Sequence, residues 1–327
     1  MKAFVGWIRR RPIITFYVIC FVVSWGLWFP FILSHNELSE IIALVGLFGP
    51  ALACVIVSRV SSTPPKDSRT VRFWNSFIAG WFVSTLAFGL YNGTTSLVVW
   101  VIFAILALVP AYIIGSIVFR LSGLRSKQFL ARPKGMWGWY IVAVVLPLVL
   151  RLLSVWLSRL IGWGLESNPP LPSSMMELAG SILVIFLYTM IWAGGLDEET
   201  GWTGFALPRL QARFSPLMAT LIVWALWMLW HVPMHLSGFF NLSAHTLIGS
   251  FFGRFLMTWL FIRSSGDWLT GFFLHTSVNV TSQFVPLTNA SLVVDAAVAL
   301  IVIISGKLWQ RLPVENPAVI VEERLAA

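Results

Sequence analysis

Long apolar runs separated by short polar connections constrain this chain more than any other feature. The runs lie near residues 12–33, 41–58, 73–91, 95–119, 136–158, 179–197, 216–235, 245–262, 268–286 and 290–306. A helix needs roughly 20 apolar residues to cross the hydrocarbon core of a bilayer, and nearly every run meets that length. Apolar and aromatic residues make up 58% of the 327 positions and charged residues 11%. An ordinary soluble domain carries about a quarter of its residues as charges, so both a soluble domain and a disordered chain are excluded. Trp (18) and Phe (25) far outnumber Tyr (5), which suits helices with interfacial belts better than a β-barrel. The expected fold is an all-α, polytopic integral membrane bundle of about ten transmembrane helices.

The net charge of +9 does not point to nucleic acid, because the basic residues fall in small groups between the runs. Lys2, Arg9, Arg10 and Arg11 precede the first run; Arg59, Lys66, Arg69 and Arg72 separate the second and third; Arg120, Arg125, Lys127, Arg132 and Lys134 separate the fourth and fifth. Arg209 and Arg213 follow the sixth, Arg263 the eighth, and Lys307, Arg311 and Arg324 the tenth. Every second connection is therefore basic, while the alternate ones hold Glu37, Glu40, Glu166 and Glu177 or almost no charge. The positive-inside rule then places both termini in the cytoplasm of a multi-pass cell-membrane protein. The first run is too long for a signal-peptide core and lacks a small-residue cleavage site after it, so it is expected to stay as an anchor. Arg159 can snorkel at the outer end of its span, whereas Arg151 and Arg254 lie deeper and need partners. Cys20 and Cys54 sit inside apolar runs and build no disulfide framework. Ser61–Pro65 and Asn168–Ser174 read as linkers, too short to mark a folded domain boundary.

Ionisable groups are expensive in hydrocarbon, so those within spans mark cavities or partners. They concentrate in the second half of the chain. Asp197, Glu198 and Glu199 follow Gly194 and Gly195 at the expected inner end of the sixth span. A solvated helix end is the plain reading, but a helix C-terminus and an anionic leaflet both disfavour three acids there. His231 and His235 are four residues apart with Pro233 between them, which is expected to kink or end the helix. Either histidine can equally be an interfacial hydrogen-bonding residue in a Trp-rich span. His275 and Asn279 are also four apart, with no proline between, and should project from one face of the ninth span. Such a pair can donate two hydrogen bonds to a developing negative charge, or simply tie two helices together. Together, carboxylate, imidazole and amide on three spans form a water-activating and anion-stabilising set.

These residues also carry a resemblance. Glu198-Glu199-Thr200-Gly201-Trp202-Thr203-Gly204-Phe205-Ala206-Leu207-Pro208 resembles the EExxxR motif of the CAAX protease and bacteriocin-processing family of intramembrane endopeptidases. Trp227-Met228-Leu229-Trp230-His231 is similar to its FxxxH motif, and His275-Thr276-Ser277-Val278-Asn279 to its HxxxN motif. The resemblance covers roughly residues 180–285 and implies three regions: scaffold spans at 1–175, a catalytic core at 176–290, and a last span with cytoplasmic tail at 291–327. It implies Glu198 as general base, His231 as its partner in holding the water, His275 and Asn279 as oxyanion donors, and Glu199 as a supporting carboxylate. The substrate implied is a membrane-associated peptide or protein within the lipid bilayer, with no nucleic acid. A metal-free glutamate mechanism is the first choice, since no HExxH motif is present. The family also admits zinc, which would fall to Glu198, His231 and His275.

Two positions depart from the family pattern. Thr203 stands where the motif arginine is expected, and Trp227 replaces a phenylalanine of similar bulk. The first departure leaves open a non-catalytic relative that acts by binding, in bacteriocin self-immunity or as a scaffold. A proton-coupled transporter using the same carboxylates is a weaker alternative. Straight helices would also set the partners at different depths: Glu198 near the inner surface, His275 about 10 Å in, His231 about 20 Å along its span. Convergence then requires Thr200–Ser215 to fold back, as Gly201, Gly204 and Pro208 would permit, or the sixth span to reach deeper. Elsewhere, Asp295 is expected to pair with Arg254, and Asp267 to cap the ninth span.

Overall fold

A computed structural model describes residues 2–34, 37–61, 69–124, 136–165, 169–240 and 243–320. Among these the chain forms helices joined by turns and short irregular segments, with an isolated antiparallel bridge between Leu165 and Thr288. The helices are α1 (Lys2–Arg10), α2 (Pro12–Ser34), α3 (Glu37–Gly46), α4 (Gly49–Ser61), α5 (Arg69–Asn92), α6 (Leu97–Leu106) and α7 (Leu108–Leu124). They continue with α8 (Met136–Ile161), α9 (Met175–Trp192), α10 (Leu207–Gln211), α11 (Pro216–Leu236), α12 (Ala244–Arg263), α13 (Leu269–Ser282) and α14 (Asn289–Ser305). Lys66, Arg125, Lys127, Arg132, Lys134, Glu166 and Arg324, most of the Ser61–Pro65 linker and Asn168 lie outside the described residues.

Every apolar run is helical. Seven stretches are long and apolar enough to cross a membrane, including Pro12–Ser34, Met136–Ile161 and Met175–Gln211. The difference from ten lies in three shorter helices, α4, α13 and α14, of 13, 14 and 17 residues. The chain is a polytopic helical membrane protein. Arg159 is exposed in the last turn of α8, as snorkelling requires.

The helices form two compact units. The first comprises residues 1–136, 183–201 and 322–327. Within it α2 is held to α3 by side chains reaching backbone carbonyls at a helix end: Ser24 Oγ donates to Gly46 O at 2.7 Å and Trp28 Nε1 to Ala43 O at 2.9 Å. A Cβ on Gly49 would stand 2.0 Å from Ser24 Oγ, so only glycine admits this approach. Small residues serve α5 and α7 likewise, where Gly115 receives the ring of Phe73. Arg59 places its guanidinium 5.0 Å from the Tyr112 ring and donates to Ser116 Oγ at 3.1 Å.

The second unit comprises residues 137–182 and 202–321. Its core gathers Phe255, Leu256, Met257 and Leu260 of α12 with Leu274 of α13, Ala299 and Val302 of α14, and Leu308. Thr220 of α11 donates to Thr258 of α12 at 2.7 Å, a buried hydroxyl pair of the kind that ties helices together in lipid. The tail after α14 returns to the unit, with Leu217 N–H donating to Leu308 O and Ile320 N–H to Pro208 O. Asp267 accepts from the Leu269 amide at 3.2 Å and from the Tyr140 hydroxyl, so it caps α13 as expected, from one residue before the Trp268 cap position.

Candidate active site

The acidic segment owes its shape to two glycines and an aspartate. After α9 ends at Trp192, Gly194 adopts φ 108°, a left-handed conformation that glycine enters without strain. The chain then turns through two π-helical segments, Gly195–Glu199 and Trp202–Ala206, before α10. Asp197 Oδ1 accepts the Gly194 amide at 2.8 Å and closes the first of them. The wider π turn interrupts the regular α-helical side-chain spacing, a distortion frequent at functional sites. Asp197, Glu198 and Glu199 are 0%, 6% and 0% exposed, which overturns the solvated helix end.

Of the two alternatives for Thr200–Ser215, the fold-back is not taken, and the sixth run instead continues as helix past residue 197. The break falls at Ala193 and Gly194, and the helix continues through Gly201, Gly204 and Pro208 to Gln211. The apolar run Met175–Gln211 thus extends well beyond the acids. Pro208 is admitted because it falls in the first turn of α10. Gly201 is fixed by α4: a Cβ there would stand 2.7 Å from both Cβ and O of Pro50.

In the second unit, α11 runs unbroken through Pro233 to Leu236, so the proline neither ends the helix nor separates its histidines. The His231 and His235 rings lie 6.0 Å apart. His231 is buried, and its Nδ1 lies 2.9 Å from Trp227 O. A carbonyl only accepts, so Nδ1 carries the proton, and Nε2 is the nitrogen that accepts whenever the ring is neutral. His235 Nδ1 bonds Phe240 O at 3.0 Å and secures the turn after α11, a structural role. Trp227 joins the motifs: its ring centre lies 4.4 Å from that of His231 and 6.4 Å from that of His275, with the Arg254 guanidinium 5.4 Å from its centre. Sequence reasoning saw Trp227 as a filler. It is the contact between α11 and α13.

His275 and Asn279 line one cavity of about 370 Å³ within this unit, as their spacing predicts. Trp227, Arg254, Arg151, His245 and Asp295 border the same space. The expected Asp295–Arg254 pair is replaced: Asp295 faces Arg151 and His245. Its carboxylate meets α12 more than a turn before Arg254, 3.8 Å from where a Gly249 Cβ would stand. His245 was missed by sequence reading because it opens α12, where a histidine looks interfacial.

Thr203 is buried against α13, with its Cγ2 3.0 Å and Oγ1 3.1 Å from where a Gly271 Cβ would stand. Threonine at this position therefore goes with a helix packed to glycine distance. Arg209 does reach back, as far as Phe205: its Nη1 donates to Phe205 O at 3.0 Å and its guanidinium lies 3.7 Å from the centre of that ring. Arg213 is exposed. Trp202, the residue before Thr203, meets Trp230 of α11 edge-on at 5.8 Å. The segment directly after the acids is thereby docked on both histidine-bearing helices.

Fold and site define a class: a polytopic helical membrane protein that keeps carboxylates and imidazoles buried within its helices, with a half-buried amide beside them. Residues 180–281, which contain all three motifs, match the family model described as type II CAAX prenyl endopeptidase Rce1-like. A curated protein named CAAX prenyl protease 2, from Methanococcus maripaludis, is 24% identical over 115 residues, covering 32% of this chain and 42% of the relative. The matched stretch thus spans less than half the length of that relative.

Proposed function

We propose that the chain is an intramembrane endopeptidase that hydrolyses a peptide bond in a membrane-associated peptide or protein. One observation carries the reading: His231 and His275 both lie against the Trp227 ring, and Trp227, His275 and Asn279 border the same cavity in the second unit. The carboxylates precede the docked Trp202 by only three and four residues, and their burial supports the same reading.

Glu198 takes a proton from a water held with His231 Nε2, and the hydroxide adds to the scissile carbonyl carbon. His275 and Asn279 donate hydrogen bonds to the resulting oxyanion. As the C–N bond breaks, Glu198 returns the proton to the leaving amine, so that water's oxygen ends in the new carboxylate. Glu199 orients Glu198, while Trp227 and Thr203 hold the helices at contact distance. In this assignment residues 1–175 are scaffold, 176–290 the catalytic core and 291–327 the last span and tail, with both termini cytoplasmic.

No metal is needed for these steps. Were zinc used, it would supply a more acidic water, and the motif resemblance assigns it to Glu198, His231 and His275, residue types that zinc takes as ligands.

The test is peptide hydrolysis by protein reconstituted in lipid. Glu198→Gln and His231→Ala should abolish cleavage while leaving the protein folded. Unchanged cleavage would overturn the mechanism. A protective phenotype that survives both substitutions would favour the non-catalytic alternative, to which the Thr203 position gives some support.

A further inference from the structure

Arg151 on α8, His245 and Arg254 on α12, and Asp295 on α14 surround the cavity that His275 and Asn279 border. The lining holds two guanidiniums and one carboxylate. Arg151 Nη1 and His245 Nε2 are buried, and among the described residues neither atom has a hydrogen-bond partner. Buried donors without partners are costly, and a guanidinium in a membrane interior more so, so this arrangement is poorly suited to a purely structural role. Gly253 adds no wall on the same stretch of α12, since nothing lies within 4 Å of where its Cβ would stand. At about 370 Å³ the space is within the range of ligand pockets, and Leu150, Met257 and Val278 give it apolar sides.

We propose that this cavity is a substrate subsite that binds a carboxylate of the peptide, with Arg151 as the principal donor and Asp295 as the residue that positions it. Arg is suited to this role because its planar fork matches a carboxylate. Because His275 and Asn279 share the wall, the bound carboxylate lies within a few residues of the scissile carbonyl. The inference rests on the hydrolase reading for its name as a subsite, but the binding itself does not require hydrolysis.

The test uses full-length protein in nanodiscs of neutral lipid. Three labelled apolar peptides are compared by fluorescence polarisation: one with a free C-terminus, its C-terminal amide, and that amide carrying one glutamate. Binding is measured on Glu198→Gln protein, which separates recognition from chemistry, and cleavage is measured on the wild type. A carboxylate-bearing peptide should bind about tenfold or more tightly than the neutral amide, the order expected for hydrogen bonds to a charged group. The free C-terminus and the glutamate peptide tell which carboxylate is taken. Arg151→Gln should remove the preference and raise KM with little change in kcat. The double variant Arg151→Gln/Asp295→Asn, which leaves no lone charge, should do the same if the single variant fails to fold. Preference without cleavage upholds the pocket and counts against the hydrolase. Equal binding of all three peptides, a preference unchanged in the Arg151 variants, or displacement of the peptide by phosphatidylglycerol would overturn the proposal.

Discussion

At the scale of single residues, the account separates groups that act from groups that hold. Asp197 is committed to the Gly194 amide and His235 to the Phe240 carbonyl, so their removal should affect stability before chemistry. Asn279→Ala should instead lower kcat by about 10²- to 10³-fold, the usual cost of an oxyanion donor, with little change in melting temperature. Restoring the family arginine with Thr203→Arg should destabilise the protein by roughly 1–3 kcal/mol, because Thr203 is buried and already fills the space where a Gly271 Cβ would stand. A thermal or denaturant unfolding series in detergent would measure it, and unchanged stability would refute the packing argument. His275 and Asn279 were legible from their spacing, since i and i+4 share a face on any regular helix. The ionic partner of Asp295 was not, because composition fixes that a buried charge needs a partner without fixing which helix supplies it.

At the scale of elements, the acidic segment depends on a local departure from α-helix. Gly194→Ala must place a side chain at φ 108°, and Gly201→Ala must place a Cβ 2.7 Å from Pro50. The first should cost about 1 kcal/mol or more and the second roughly 1–3 kcal/mol, and both should reduce hydrolysis by shifting the carboxylates. Hydropathy marked this run but placed its break too late, since Gly201, Gly204 and Pro208 looked like the breaking residues. Burial and the contact with α4 keep them helical. Pro233 misled in the same direction. A proline removes one donor, yet α11 continues through it because a membrane helix can satisfy the freed carbonyl from its surroundings.

At the scale of the whole molecule, the apolar runs and their basic connections are the part most readable in the sequence, because hydrocarbon thickness leaves a chain few choices. The orientation they imply is open to direct measurement. In a chain lacking Cys20 and Cys54, a membrane-impermeant thiol reagent added outside intact cells should label Leu171→Cys and not Gln310→Cys. The reverse pattern would invert the topology. Chelation with EDTA should leave hydrolysis unchanged under the glutamate mechanism, whereas loss that zinc restores would replace it with a zinc-dependent one.

The central claim is that the carboxylates on one segment and the His/Asn pair on another serve the same scissile carbonyl, the first by activating the water and the second by holding the oxyanion. Glu198→Cys combined with His275→Cys, in a chain without Cys20 and Cys54, measures it through a short bifunctional thiol cross-linker in the native membrane. The account predicts efficient intramolecular linkage for this pair and little for a control pairing Glu198→Cys with the exposed Leu236→Cys. Linkage no better than that control would contradict a shared site.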